Sequence, residues 1–209
     1  EPVNLAEATA VIHGEHEETS TGLNHRKLLM WAFLGSDCMF FGTLIATYVV
    51  YQGKSLKGPF PEDVFSIPVT SVSTFVLLMS SMSMVLAYAA LRQGNIKSFR
   101  IWIFSTAILG MTFLGFQVFE FRDFVHEGLT MKTNLFGTTF FTLTGFHGAH
   151  VTLGVIWLLS LGFHSFKGGI TPDKHLDVDL AALYWHFVDV VWIIIFTVVY
   201  LFGVFPGLN

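Results

Sequence analysis

The chain has 209 residues, of which 53% are hydrophobic and only 12% are Asp, Glu, Lys or Arg, with a formal charge of −4. That charged share is about half of what an ordinary soluble domain carries, which argues against a water-soluble fold, and the small, scattered charge gives no footprint for nucleic acid. The single cysteine, Cys38, excludes an internal disulfide and any cysteine-built metal cluster.

Residues 1–25 are polar, carry five Glu, and read as a flexible or surface-lying arm. They lack a basic start followed by a short apolar core, so no signal peptide is expected. Residues 26–209 read as one all-α transmembrane domain. Five stretches are apolar enough to cross a bilayer, at about 28–51, 66–91, 99–121, 134–164 and 180–204, since a hydrocarbon core of roughly 30 Å takes about 20 helical residues. The fourth is long enough to tilt or to extend past the bilayer. Helices rather than a barrel are expected, because each amide must be paired within its own segment and no alternating ten-residue pattern occurs.

Turn residues fall between these stretches. Gly53, Gly58, Pro59 and Pro61 follow the first, Gln93-Gly94-Asn95 the second, and Gly168-Gly169 with Pro172 the fourth. No internal repeat is evident. With five spans, Arg26, Lys27, Arg92, Lys97, Arg100, Lys167 and Lys174 share one side, against Lys54, Lys57, Arg122 and Lys132 on the other. The positive-inside rule then places the amino terminus in the cytoplasm and the carboxyl terminus outside. Small residues four apart at Gly42/Ala46, Ser83/Ala87, Thr106/Gly110 and Gly145/Ala149 mark candidate packing faces between helices.

The few polar groups inside these stretches are the candidates for chemistry. Asp37 lies about ten residues into the first span, where an ionised carboxylate costs at least roughly 2.5–3.5 kcal/mol. It reads as a protonated acid bonded to another helix, a proton relay, or a cation ligand. Glu120, with Gln117 one turn before it, either reaches the interface along with Arg122 and Asp123 or pairs with a histidine of another span. His147 and His150 share one face of the fourth span, and His186 and Asp189 form a similar pair on the fifth. Neutral imidazoles ligate transition metals and can hold haem. The same four side chains serve equally as hydrogen-bonding ties between helices. Lys174, His175, Asp177 and Asp179, followed by Tyr184-Trp185-His186-Phe187, form either an edge that binds anionic lipid or an ordinary aromatic belt beside a solvated loop.

Four strings together resemble one family. Trp31-Ala32-Phe33-Leu34-Gly35-Ser36-Asp37-Cys38-Met39-Phe40-Phe41, the Gly115–Phe121 stretch, Gly145-Phe146-His147-Gly148-Ala149-His150-Val151 and Tyr184-Trp185-His186-Phe187-Val188-Asp189-Val190-Val191-Trp192 are similar to subunit III of the haem-copper terminal oxidases, in its short five-helix bacterial form. The resemblance covers about Arg26 to Phe205. It implies an accessory, non-catalytic subunit of the bacterial inner membrane that packs on subunit I, with subunit II, small subunits or a supercomplex as further partners. On this reading the chain carries no metal or cofactor, haem and copper sit in partner subunits, and phospholipid is bound between helix groups while proton uptake is supported. Asp37, Glu120, His147, His150, His186 and Asp189 then become proton-linked or inter-helix polar residues, and Trp31, His175, Tyr184 and Trp185 become lipid contacts. Asp37 stands where the family usually has Glu. His175-Leu176-Asp177-Val178-Asp179 departs from the family's His-Phe-Gly-x-Glu at the third and fifth positions. A quinol-oxidising relative, an independent His-ligated membrane enzyme and a small proton carrier are the other readings.

Overall fold

The structure is a computed structural model that describes residues 24–55, 58–59, 65–172 and 175–204. The polar arm up to residue 23, Lys57, Pro61 and Lys174 lie outside the described residues. The described residues are helical: α1 (His25–Tyr51), α2 (Ile67–Arg92), α3 (Ile96–His126), α4 (Leu135–Phe166) and α5 (Leu176–Ile195), which continues through a π-helical stretch, Phe196–Leu201, into a last turn, Phe202–Val204. Five helices, counting α5 through Leu201, are long and apolar enough to cross a membrane. The chain divides into two units, residues 1–38 and 39–209. α1 runs through the division, and the packing described below is that of residues 39–209.

Three helix starts are written in local chemistry. Pro68 sits in the first turn of α2, where a missing N–H costs nothing. Asn95 and Asn134 cap α3 and α4, their side-chain oxygens accepting from the N–H of Ser98 (3.1 Å) and Gly137 (2.7 Å). Gly94 ends α2 at φ +76°, and the N–H groups of Gly94 and Asn95 return to the carbonyls of Leu91 and Ala90 at 2.9 Å each. This left-handed cap turns the chain straight into α3.

Two spans begin earlier than the charge gaps indicate. α3 starts at Ile96 rather than 99, because the Asn95 cap outweighs the charges of Lys97 and Arg100 that follow it. α5 starts at Leu176 rather than 180 and takes Asp177 and Asp179 into its first turn, where negative charge meets the positive end of the helix dipole.

The apolar surface faces outward. Phe75, Ile101, Val118, Leu153 and Phe163 are each more than half exposed, while Thr70, Ser73, Ser80, Thr106, Gln117, Glu120, Thr144 and His147 are buried. Large apolar side chains on the outside, around an interior that is itself mainly apolar and holds these few polar groups, suit a molecule whose outer solvent is lipid or another apolar protein. α2 packs along α3 and α5, and α4 along α3 and α5. At one end the Arg100 Nε–H and Nη2–H donate to Ser165 Oγ and O (2.8 and 2.6 Å), with the guanidinium 4.5 Å above the Phe166 ring, so that the last turn of α4 is clamped to the start of α3. At the other end Asn134 Nδ2 donates to the Pro59 carbonyl at 3.0 Å.

Two of the four small-residue pairs serve as packing faces. Ser83, Ala87, Thr106 and Gly110 are buried; Ser83 Oγ–H donates to the Trp102 carbonyl of α3 at 3.0 Å, while Gly110 faces Trp185 of α5 and Val155 of α4. Gly42 and Gly145 have open space where a Cβ would project, and Ala46 and Ala149 are exposed, so among the described residues no helix of this chain is pressed against these two pairs. Small residues are frequent in membrane helices whether or not a neighbour approaches.

Candidate functional site

The polar residues inside the bundle form a seam along α2. Thr70, Thr74 and Ser80 lie on its buried face, and each hydroxyl meets a partner from another helix. Ser80 Oγ–H donates to its own helix at Leu77 O (2.6 Å), while the same oxygen accepts from Trp185 Nε1–H of α5 (3.0 Å). Thr74 repeats the pattern, donating to Thr70 O (2.7 Å) and accepting from Trp192 Nε1–H (3.0 Å). One hydroxyl thus satisfies a buried indole without losing its own donor, which is why Ser and Thr serve here although they carry little polarity. Thr74→Val keeps the shape and removes the acceptor. It is expected to cost about 0.6–2 kcal/mol, seen as an earlier midpoint in a detergent-denaturation series, with the Trp192 indole N–H signal shifted toward an unbonded environment.

Further along the seam, Ser81 Oγ and His186 Nδ1 are 2.6 Å apart, and the Ser81 hydroxyl also lies against the Asp189 carboxyl. The His186/Asp189 pair is therefore directed at α2 and does not converge with the α4 histidines. Glu120 of α3 is paired with the Thr70 hydroxyl rather than with a histidine. Gln117, one turn before it, donates from Nε2 to the Thr144 carbonyl of α4 at 2.8 Å. Its side chain fills the space where Gly148 lacks a Cβ, which would stand 2.6 Å from Gln117 Oε1.

His147 is fully buried among aromatic rings. It stacks on Trp192 with centroids 4.9 Å apart and 28° between planes, and it meets Phe113 and Phe41 edge-on at 6.0 and 6.4 Å. Neither ring nitrogen has a hydrogen-bond partner among the described residues, and Asp189 Oδ1 is likewise unpartnered. His150, one turn on, is half-buried, with Nδ1 2.8 Å from its own helix's Phe146 carbonyl. Its carbonyl accepts from the Tyr184 hydroxyl at 3.0 Å. Among the described residues no three His, Cys, Asp or Glu side chains are grouped as metal ligands.

The four residues expected at lipid are placed differently from one another. Trp31 on α1 is 53% exposed. His175 is half-buried just before α5, with Nε2 3.1 Å from Arg92 Nη1 and Nδ1 2.8 Å from the Pro172 carbonyl. Tyr184 and Trp185 are instead turned into the helix packing, at 5% and 2% exposure. Asp37 is half-buried on α1. The Ser/Thr ladder of α2 and Trp192 were not singled out in the sequence. Their signal was present as hydroxyls at Thr70, Thr74 and Ser80, at helical spacing in a segment without charges.

Comparison with known proteins adds to this geometry. A family model described as cytochrome c oxidase subunit III matches residues 5–204. A cytochrome c oxidase subunit 3 of Bacillus sp. (strain PS3) is 40% identical over 189 residues, covering 90% of this chain and 91% of that protein. A quinol oxidase subunit 3 of Bacillus spizizenii is 38% identical over 198 residues, covering 91% and 97%. A cytochrome bo(3) ubiquinol oxidase subunit 3 of Pseudomonas aeruginosa is 35% identical over 200 residues, covering 96% and 95%.

Proposed function

We infer the role of this chain from one premise: it belongs to the cytochrome c oxidase subunit III family. It is a multi-pass protein of the bacterial inner membrane and the third subunit of a respiratory haem-copper oxidase. Beyond that, we propose that the chain itself does no redox chemistry and acts as an accessory that stabilises subunit I, with haem and copper held by partner subunits. The observation that carries this reading is the use of the polar groups. His186 Nδ1 meets Ser81 of another helix, His150 Nδ1 lies against its own helix's Phe146 carbonyl, and the His147 ring is packed among aromatic side chains. Among the described residues no three His, Cys, Asp or Glu side chains are grouped as metal ligands, which supports this reading.

The outward apolar faces supply the area that partner subunits and lipid would cover. The exposed Trp31, and His175 beside Arg92, are the positions we assign to phospholipid contact. The excess of Lys and Arg in the amino-terminal flank and in the second and fourth connections supports an amino terminus in the cytoplasm, on the proton-uptake side. We read the electron donor as cytochrome c. The quinol reading has its own support, because a quinol-oxidase relative and a cytochrome-oxidase relative match at 38% and 40% identity; the chain is built alike for both, so donor choice belongs to other subunits.

Mild-detergent purification through a tag on this chain tests the proposal. We expect an oxygen-consuming complex that oxidises reduced cytochrome c. Oxidation of quinol alone would select the second reading, and a chain that elutes without oxidase subunits would contradict both.

A further inference from the structure

The hydroxyl of Thr70 has two acceptors within reach and one proton to give. Its Oγ1 lies 3.1 Å from the Ser66 carbonyl of its own helix and in close contact with Glu120 Oε1. Both side chains are buried, Thr70 completely and Glu120 to 6% exposure. Two arrangements are open. In the first, Thr70 donates to an ionised Glu120. In the second, Thr70 donates to Ser66, and the proton between the two side chains comes from the carboxyl group.

The surroundings decide between them. Among the described residues Glu120 has no basic partner, and its titratable neighbours are an acid, Asp123 on its own helix, and a phenol, Tyr200 of the π-helical stretch. Tyr200 is itself buried, with Phe65 stacked on it at 4.4 Å, and the nearby Tyr48 hydroxyl donates to the Val199 carbonyl at 3.4 Å. No positive charge on α1, α2, α3 or α5 among these groups offsets an anion, and one hydroxyl bond returns less than the burial of an unpaired charge costs. The second arrangement uses every donor and leaves no buried ion.

We infer that Glu120 is a proton-binding site, its carboxyl O–H donating to Thr70 Oγ1 while the Thr70 hydroxyl donates to the Ser66 carbonyl. The ligand is a single proton held where α2, α3 and the end of α5 meet. The inference rests on the reading of Glu120 as a tie between helices and adds the proton to it.

Infrared difference spectroscopy on the purified oxidase complex tests it, comparing the parent with Glu120→Gln and Thr70→Val in H2O and D2O. The parent is expected to show a carboxylic-acid C=O band that moves down in D2O and is lost in Glu120→Gln. Thr70→Val should move the band up, because the acid loses its acceptor. Asp37→Asn and Asp189→Asn should leave it in place. Loss of a carboxylate stretch in Glu120→Gln, with no change in the acid region, would overturn the inference. Should the Gln variant fail to assemble, Thr70→Val carries the comparison alone: a shifted acid band supports the proton, and an unshifted acid region removes it. A preparation without oxidase subunits would count against the proposed function and still leave this band readable in the chain itself.

Discussion

Adding one methyl group at Gly110 is expected to destabilise the subunit by about 1–3 kcal/mol, the usual cost of overpacking a filled interior. A Cβ there would lie 2.6 Å from Trp185 Cη2 and 2.9 Å from Val155 Cγ2. The indole has nowhere to move, because its other edge faces Gly154, where a Cβ would stand 2.9 Å from Trp185 Cε3 and Cζ3. Its nitrogen is meanwhile tied to Ser80. Trp185 thus reaches from α5 to all three of α2, α3 and α4. Trp185→Ala removes that contact and is expected to cost about 3–5 kcal/mol, seen as sharply reduced recovery of the subunit in the complex. The two changes should not add. With the indole gone, the larger of the two clashes is removed and Gly110→Ala should cost clearly less, the contact with Val155 Cγ2 remaining. A penalty for Gly110→Ala that is the same with and without Trp185 would show that the clash lies elsewhere.

The second large effect is expected at His147, and its sign depends on the substitution. His147→Lys puts an ammonium group into a slot that is fully enclosed by Trp192, Phe113 and Phe41. The cost is at least about 2.5–3.5 kcal/mol, by insertion scales for a charge at the centre of a span, and assembly should fail. His147→Leu loses the ring stacking but also removes two buried nitrogens that have no partner among the described residues. Replacing an unsatisfied polar group by an apolar one of similar size is close to neutral, so the change should fall within about 1 kcal/mol and leave the visible spectrum of the complex untouched. A bleached or shifted haem band in His147→Leu would assign the imidazole a ligand role that the aromatic packing does not provide for.

The contrast between these two sites shows which features the sequence made legible. Spans could be read because a bilayer demands long uncharged runs, and the α2–α3 turn because Gly94 and Asn95 have strong local preferences. The helix starts at Ile96 and Leu176 were missed by a few residues, since charges that read as loop can sit in a first turn once a cap or the helix dipole accommodates them. The π-helical stretch at Phe196–Leu201 has no compositional mark at all.

Pairings were harder to read than elements. Glu120 and Thr70 are 50 residues apart, and Trp192 and Thr74 are 118 apart. Nothing periodic links either pair, so the choice of a threonine over a histidine for Glu120 follows only from how α2 and α3 lie against each other. Trp185 and Tyr184 looked like residues of a membrane interface because aromatics are common there. Gly110 and Gly154 admit the Trp185 ring to the interior instead, a fact that becomes visible only when glycines on two other helices face it.

On the proposed function, the interior polar groups of this chain hold helices to one another while a prosthetic group is held elsewhere in the complex. The direct measurement is iron and copper content together with the visible spectrum, taken first on the complex purified through this chain and then on the chain after it is stripped away. Haem and copper are expected to stay entirely with the remaining subunits, leaving a colourless, metal-free chain whose helix content is retained. Stoichiometric iron or copper on the separated chain, lost on substitution of His147, His150 or His186, would contradict the proposed function.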